Sequence, residues 1–441
     1  MASTDTIAAI STALGQGGIA VVRISGSDAV FVAHKLLRRR EFPEAGRMFL
    51  TWLLDSDGSF LDRVMAVVFK APHSYTWEDV VEIHTHGGSF IARKCLELAI
   101  ANGARLAEPG EFTRRAFING RIDLTQTEGV LSVIRARSDE ALKAAARTMT
   151  GDLSLSLLYI RENIRDLQAS LEVQLDFPEG ESVGVDVEAE LRCILDAFLE
   201  VEAKCEAGTI LREGVRVVIA GKPNAGKSSL LNALLGRNRA IVTDIPGTTR
   251  DIIEEGIIIN GVPVRLVDTA GLRETDSVIE AEGVRLALEA MNEGDICLYV
   301  VDSSRELSDE DRNYLRELEG RKALAVLNKA DLHCMIDAES IALPKVSVSA
   351  KNRTGLDELK AWLYDAACGE AAVSEGLNVS VNQLAEIRSA RRAVSDALEC
   401  ESEDITAGLL NSARHSIMRV LGFEAGDDLI DAIFSRFCVG K

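Results

Sequence analysis

Apolar and polar positions follow three successive rhythms along the chain. Up to about residue 120, short apolar runs at 19–24 and 64–69 are broken by Gly and Pro, which predicts a mixed α/β unit. Between 121 and 212 the spacing becomes helical. Leu153, Leu157, Ile160, Ile164, Leu167 and Leu171 fall four and three apart, so one apolar seam runs down a long helix of the kind that packs in an antiparallel bundle. Pro178 disfavours helix in the residue before it and predicts a stop near Asp176 and Phe177. Leu191, Ile194, Phe198 and Val201 repeat the seam in a second helix.

From 213 to 371 strand and helix alternate. Residues 215–220 read as a buried strand, followed by a Gly-rich loop and an apolar helix at 229–235. Apolar runs at 253–259 and 262–267 flank Asn260-Gly261, the dipeptide of a two-residue hairpin. Further strands at 297–301, 323–327 and 346–348 complete an α/β pattern with a mostly parallel sheet. Helical spacing returns between 372 and 441, at Leu384, Ile387, Val394 and Leu398 and again at Leu429, Ile433 and Phe437. The expected fold class is multidomain, α/β plus all-α. An N-terminal α/β domain (1–120) precedes a helical bundle in two parts (121–212 and 372–441), and a P-loop α/β domain (213–371) is inserted between those parts.

Composition narrows this little. A chain of 441 residues, 47% hydrophobic and 27% charged, is typical of a soluble protein of two or three domains. No apolar run approaches the roughly 18 residues of a membrane span, and residues 1–6 lack the basic and apolar regions of a secretory signal. Eight cysteines without a C-x-x-C pair fit buried thiols in a reducing cytoplasm. A net charge of −20 argues against coating nucleic acid by bulk electrostatics. Arg38–Arg40, Arg114–Arg115, Arg388 and Arg391–Arg392 are candidate basic patches, but charge runs of this kind are more commonly solvated faces.

The chemistry is concentrated after residue 220. Gly221 to Ser228 spell G-x-x-x-x-G-K-S between a strand and a helix, the phosphate-binding loop. Backbone N–H groups of Asn224, Ala225, Gly226, Lys227, Ser228 and Ser229 turn around phosphate oxygens, with Lys227 reaching the β- and γ-phosphates and Ser228 ligating Mg²⁺. Asp268, Thr269, Ala270 and Gly271 form a D-x-x-G at a strand end, where the Asp can hold Mg²⁺ through water and the Gly N–H can sense the γ-phosphate. Asn328, Lys329 and Asp331 form N-K-x-D. The Asp331 carboxylate accepts from the N1–H and 2-amino edge of guanine, which adenine lacks, so GTP is expected over ATP. Ser349, Ala350 and Lys351 sit where a backbone amide can meet the guanine O6. Leu272 stands where Ras-like enzymes carry the water-orienting Gln, so water must be activated otherwise.

Asn224 within the P-loop fits either a turn-former or a ligand that holds K⁺, an ion that can neutralise developing charge much as an arginine finger does. In the second reading the loop Thr243, Asp244, Ile245, Pro246, Gly247, Thr248 and Thr249 supplies K⁺ ligands from Thr243, Ile245 and Thr248, and Thr249 completes the Mg²⁺ shell.

These motifs, together with Asp5–Ala9, Pro72–Thr76, Glu78–Val80, His86–Gly88, Pro109–Thr113, Arg115–Phe117 and the final Phe437-Cys438-Val439-Gly440-Lys441, resemble the MnmE (TrmE) family among the TrmE–Era–EngA-like GTPases over essentially the whole chain. The resemblance implies an N-terminal folate-binding domain that forms a homodimer, a helical domain, and an inserted G domain. It implies cytoplasmic work with an FAD-dependent partner, MnmG (GidA), in a heterotetrameric complex. That complex modifies C5 of the wobble uridine of tRNA with a 5-formyl- or methylene-tetrahydrofolate, driven by K⁺-stimulated GTP hydrolysis.

Arg23, Glu82, Arg121 and Lys441 match the folate-contacting positions. A carboxylate such as Glu82 suits a pterin N–H edge, and basic side chains suit the glutamate tail. Glu280 matches a glutamate that orients the hydrolytic water, or is a solvated carboxylate, and Arg273 would help to order the same loop. Cys438 is either chemical or packing. Two departures concern the pocket: some members have Lys at the place of Arg121, and Trp77 stands where Gly is usual, narrowing the pocket or covering its rim. The rival readings are a ribosome-assembly switch of the Era or Der kind, which would carry an RNA-binding KH-like appendage, and a folate enzyme with a vestigial G domain. No G-x-x-G clamp in a suitable setting follows residue 371, and intact G motifs argue against the latter.

Overall fold

The computed structural model describes residues 5–13, 15–39, 41–176, 186–236, 254–268, 296–369, 373–424 and 426–441. The chain divides into two compact units, Met1–Leu131 with Asn411–Lys441, and Ser132–Leu410.

The first unit is built on a six-stranded sheet. Its strands are β1 (Ile7–Ile10), β2 (Ile19–Ser25), β3 (Phe49–Leu54), β4 (Phe60–Phe69), β5 (Val80–His86) and β6 (Arg105–Leu106), in the order β3-β4-β5-β2-β1-β6. All neighbours are antiparallel except β1 and β6. Period-two alternation decides the faces. Val22, Ile24, Val64, Ala66, Val68, Val81 and Ile83 point one way and bury against Val32, Leu36, Cys95 and Leu98 of the helices Ala29–Leu36 and Ser89–Ala101. Arg23 and Glu82 lie between those positions and project to the opposite face, paired directly across β2 and β5.

The C-terminal segment belongs to this unit. Ile433, Phe434 and Phe437 cluster with Leu124 and Phe117. The last helix ends at Phe434, short of the predicted seam. An i to i+3 turn (Phe437 N–H donating to Phe434 O, 3.0 Å) nevertheless keeps Phe437 beside Phe434, ring centroids 5.8 Å apart. Val439 bridges to Pro109. Gly440, at φ 98°, passes so close to β1 that a Cβ would stand 2.3 Å from the Ile10 carbonyl oxygen, which is why only glycine serves there.

The second unit carries the sheet β7 (Val215–Ala220), β8 (Glu254–Ile259), β9 (Val262–Asp268), β10 (Ile296–Asp302), β11 (Ala323–Asn328) and β12 (Lys345–Val348), ordered β12-β11-β10-β7-β9-β8. It is parallel throughout except for the β8–β9 hairpin, where Asn260 and Gly261 both take positive φ (47° and 86°), the geometry their dipeptide predicts. The seam Leu153 to Leu171 is buried along the helix Asp152–Asp176, each side chain at most 3% exposed and worth about 2 kcal/mol of burial. The helix Val187–Glu213 packs against it and against Val381–Leu398, so helical pieces from both sides of the α/β insertion meet in one bundle. Among the described residues no helix is long and apolar enough to cross a membrane, and all eight cysteines are free.

Candidate functional site

β7 delivers the chain into the P-loop, and the helix Lys227–Leu235 begins two residues earlier than the apolar pattern indicates, because Gly226 at φ 94° opens it. Asn224 sits at φ 62°, the left-handed conformation that Asn tolerates better than most residues. The Lys227 ammonium donates to the carbonyls of Gly221 (2.7 Å) and Lys222 (3.0 Å), curling back over the loop whose phosphates it would otherwise meet. Ser228 and Ser229 follow in the first turn.

The base-reading motif is locked to this loop by one side chain. Buried Asn328 donates from Nδ2 to the Ala225 carbonyl (2.9 Å) and accepts at Oδ1 from the Ala350 N–H (3.2 Å). A Cβ on Gly226 would stand 2.2 Å from that Nδ2, so the second P-loop glycine makes room for the clamp. Asp331 accepts from the Ser349 hydroxyl (2.6 Å), and this hydrogen bond holds its carboxyl below the usual carboxylate range. Asp331 is therefore ionised, as an acceptor of guanine donors must be. Asn328, Lys329, Asp331, Ser349, Ala350 and Lys351 thus converge with the P-loop as their spacing implied.

Two partners were not evident from the motifs. Lys329, at φ 65°, donates to Asp302 (2.6 Å). Burial pushes the Asp302 carboxyl up, but hydrogen bonds from Lys329 and from the Ser304 hydroxyl and N–H outweigh it and leave the group lowered. The available signal was positional: Asp302 ends β10 in register with Asn328 at the end of β11. Lys222 donates to Ser308 Oγ (2.6 Å) and pairs with Glu310 (2.6 Å), joining the P-loop to the capped start of the helix Asp309–Glu317.

Asp268 ends β9 in register with Ile219 of β7. Thr243, Asp244, Ile245, Pro246, Gly247, Thr248, Thr249, Thr269, Ala270, Gly271, Arg273 and Glu280 lie outside the described residues, as does Leu272.

The first unit holds a separate cleft of about 430 Å³, lined by Tyr75, Trp77, Glu82 and Arg121 among others. Glu82 accepts from the Arg23 guanidinium (2.9 Å) and faces His84 Nε2 (3.4 Å). Arg121 donates to the Tyr75 carbonyl (2.6 Å), and its guanidinium lies 5.1 Å from the centre of the Tyr75 ring. Lys441 does not line the cleft, although its neighbour Gly440 abuts β1, whose Ala9 is the register partner of Arg23. Cys438 is exposed, its carbonyl facing the Gly110 N–H at 3.4 Å.

The frame behind the cleft is ionic. Buried Arg115 pairs with Asp5 (2.8 Å), Glu78 (3.2 Å) and Glu111 (3.1 Å), and Arg105 pairs with Glu111 and Asp5. Burial raises the Glu111 and Asp5 carboxyls, yet these arginine partners outweigh it and both are lowered.

A strand, P-loop and helix clamped through Asn328 to an N-K-x-D motif define a guanine-nucleotide-binding protein of the P-loop class. Two family models match: the GTP-binding protein TrmE N-terminus over residues 6–121 and the MnmE helical domain over residues 124–438. The tRNA modification GTPase MnmE of Geobacter sulfurreducens is 44% identical over 456 residues, and that of Symbiobacterium thermophilum 44% over 455. Carboxydothermus hydrogenoformans has a third, 42% identical over 461 residues; each alignment covers 99% of both chains. The chain belongs to the tRNA modification GTPase MnmE family.

Proposed function

We propose that this chain is a K⁺-stimulated, Mg²⁺-dependent GTPase that works in the cytoplasm with the FAD-dependent partner MnmG (GidA), in a heterotetrameric complex, on C5 of the tRNA wobble uridine. The observation that carries the nucleotide part is the Asn328 clamp, which holds the base-reading Asp331 and the phosphate loop in one frame. Lys227 would exchange its two carbonyl acceptors for β- and γ-phosphate oxygens, a gain in charge pairing that favours triphosphate. Mg²⁺ and K⁺, when bound, neutralise charge on those oxygens. Ser228 with Thr249 would hold the first, and Asn224 with Thr243, Ile245 and Thr248 the second. Arg273 and Glu280 would order the switch and the attacking water.

A tetrahydrofolate derivative, the one-carbon source in this reading, suits the cleft of the first unit. Its volume falls in the range of small-molecule sites. Glu82 offers acceptors to a pterin edge and Arg23 holds that carboxylate in place, while Arg121 at the cleft and Lys441 outside its lining suit a glutamate tail. Cys438 lies in the segment that closes on β1 and is assigned to shaping this region. The proposed domains are 1–120 for folate binding and dimerisation, 121–212 and 372–441 for the helical domain, and 213–371 for the G domain. A homodimer through the first unit is supported by the exposed outer face of β3 and β4. There Leu50 and Met65 are register partners, and the Trp52 and Phe60 rings lie 5.0 Å apart.

The test is GTP turnover in K⁺ against Na⁺ at matched ionic strength over a range of protein concentrations. Stimulation specific to K⁺ and rising with concentration is expected. Equal rates independent of concentration would leave a plain GTPase and remove the cation-dependent mechanism.

A further inference from the structure

The loop that forms one wall of the cleft contains a conformational anomaly. Trp77 sits at φ 60°, where an L side chain is crowded and where a bulky aromatic residue is an outlier. Both of its neighbours are held in place. Thr76 is fully buried, bonded through its hydroxyl to Ser25 (2.7 Å), and its carbonyl accepts from Asn119 (2.7 Å). On the other side, the Glu78 carbonyl accepts from Ser74 Oγ (2.6 Å) and its carboxylate is held by buried Arg115 (3.2 Å). Glycine would adopt this conformation without cost. The sequence nevertheless places there the largest ring available, in a residue 42% exposed in the cleft wall.

Strain held by surrounding structure at a cleft points to a task for the side chain. The other aromatic rim residue, Tyr75, is already engaged, with the guanidinium groups of Arg121 and Arg23 at 5.1 and 5.6 Å from its ring centre and its hydroxyl 3.0 Å from Thr113. Among the described residues Trp77 has no ring–ring or cation–π partner, so its face is available to a ligand. Glu82, an acceptor for N–H groups, lines the same cleft.

We infer that Trp77 is a stacking residue for the flat pyrimidine ring of a bound heterocycle whose N–H edge is read by Glu82. Resting on the folate reading above, this assigns the pterin face to Trp77 and the pterin edge to Glu82. The indole sets orientation through face-to-face contact, and the strained backbone holds it in place before the ligand arrives, so little ordering is required on binding.

The experiment uses the full chain with 5-formyltetrahydrofolate as probe, comparing wild type, Trp77→Gly, Trp77→Phe and Glu82→Ala by calorimetry and by intrinsic fluorescence corrected for probe absorbance. Trp77→Gly is expected to bind about tenfold more weakly, the size of one lost aromatic stack. It should lose the ligand-induced quenching that wild type shows, and it should melt no lower than wild type, because glycine relieves the strain. Trp77→Phe should recover most of the affinity. Equal or tighter binding by Trp77→Gly, with Glu82→Ala weakened, would overturn the stacking role alone and make the ring a rim cover. Wild type that binds no probe would overturn the folate reading and the stack together.

Discussion

At the nucleotide site, the groups that meet a ligand arrive in short consecutive runs at the ends of parallel strands. In the first unit, Arg23 and Glu82 are 59 positions apart and meet only because β2 and β5 pair in one register. Arg121 reaches the same cleft from a turn after another helix, through the Tyr75 carbonyl. The nucleotide site is therefore written in short local runs, which Asn328 fastens together by neutral hydrogen bonds across 103 positions. The second is distributed in sequence and fastened by buried charge around Arg115. Each run keeps its own ligand-binding geometry, whereas a site made of single residues on paired strands is only as good as the register that assembles it.

The largest expected effect tests that contrast. Arg115→Met leaves Glu78 without its buried cation and Glu111 and half-exposed Asp5 with Arg105 alone; breaking one buried pair costs about 3–5 kcal/mol in comparable cases. Thermal unfolding of the first unit should shift down, followed through Trp52 and Trp77, while GDP affinity changes less than twofold. An equal loss of nucleotide affinity would show that the two regions are not independent.

Acid should distinguish the regions in the same sense. Glu111 and Asp5 have folded-state pKa values below their ordinary ones. Their stabilisation is present above the unfolded carboxylate range, near pH 4 to 4.5, and is lost as pH falls through the lowered folded values. Melting curves of wild type should fall across that window, and Arg115→Met should show a shallower slope. A parallel slope would place the acid sensitivity elsewhere.

Why one site can be read from the sequence and the other hardly follows from the same contrast. Backbone N–H groups cradle phosphate only when Gly226 and its neighbours stand at fixed spacing, so function writes itself into consecutive letters. The seam Leu153 to Leu171 and the Asn260-Gly261 hairpin are likewise local, and both are found as their periodicities predict. Arg23 and Glu82, by contrast, are single charges on half-buried strands, and nothing local separates them from ordinary surface residues. Only the family resemblance singled them out. Asp302 and Lys222 escaped for a related reason: their partners Lys329 and Glu310 lie on other elements. The helix start at Lys227 shows local backbone geometry overriding apolar spacing by two residues.

The clamp itself gives an intermediate effect. Asn328→Ala strands the Ala225 carbonyl and the Ala350 N–H and should weaken GTP and GDP about 10- to 100-fold, or about 1.5–3 kcal/mol, and lower melting by less than Arg115→Met does. A loss of stability larger than the loss of affinity would make Asn328 a core residue first and a ligand organiser second.

Asp302→Ala should have the smallest effect, and it sharpens the comparison most. The Asp302–Lys329 pair is partly exposed on the lysine side, so solvent screens it and about 0.5–1 kcal/mol is at stake. Lys329 would keep its positive φ and its place beside the base-reading Asp331 but lose the carboxylate that aims its ammonium. Nucleotide affinity, followed by titration with a fluorescent GDP analogue, should fall two- to fivefold. Because the Asp302 carboxyl is lowered, the difference between wild type and variant should persist down to about pH 4 and vanish only as that carboxyl protonates. An effect as large as that of Asn328→Ala would mean that a residue outside every motif carries as much of the site as the motif itself, and the contrast between a local and a distributed site would fail on its stronger side.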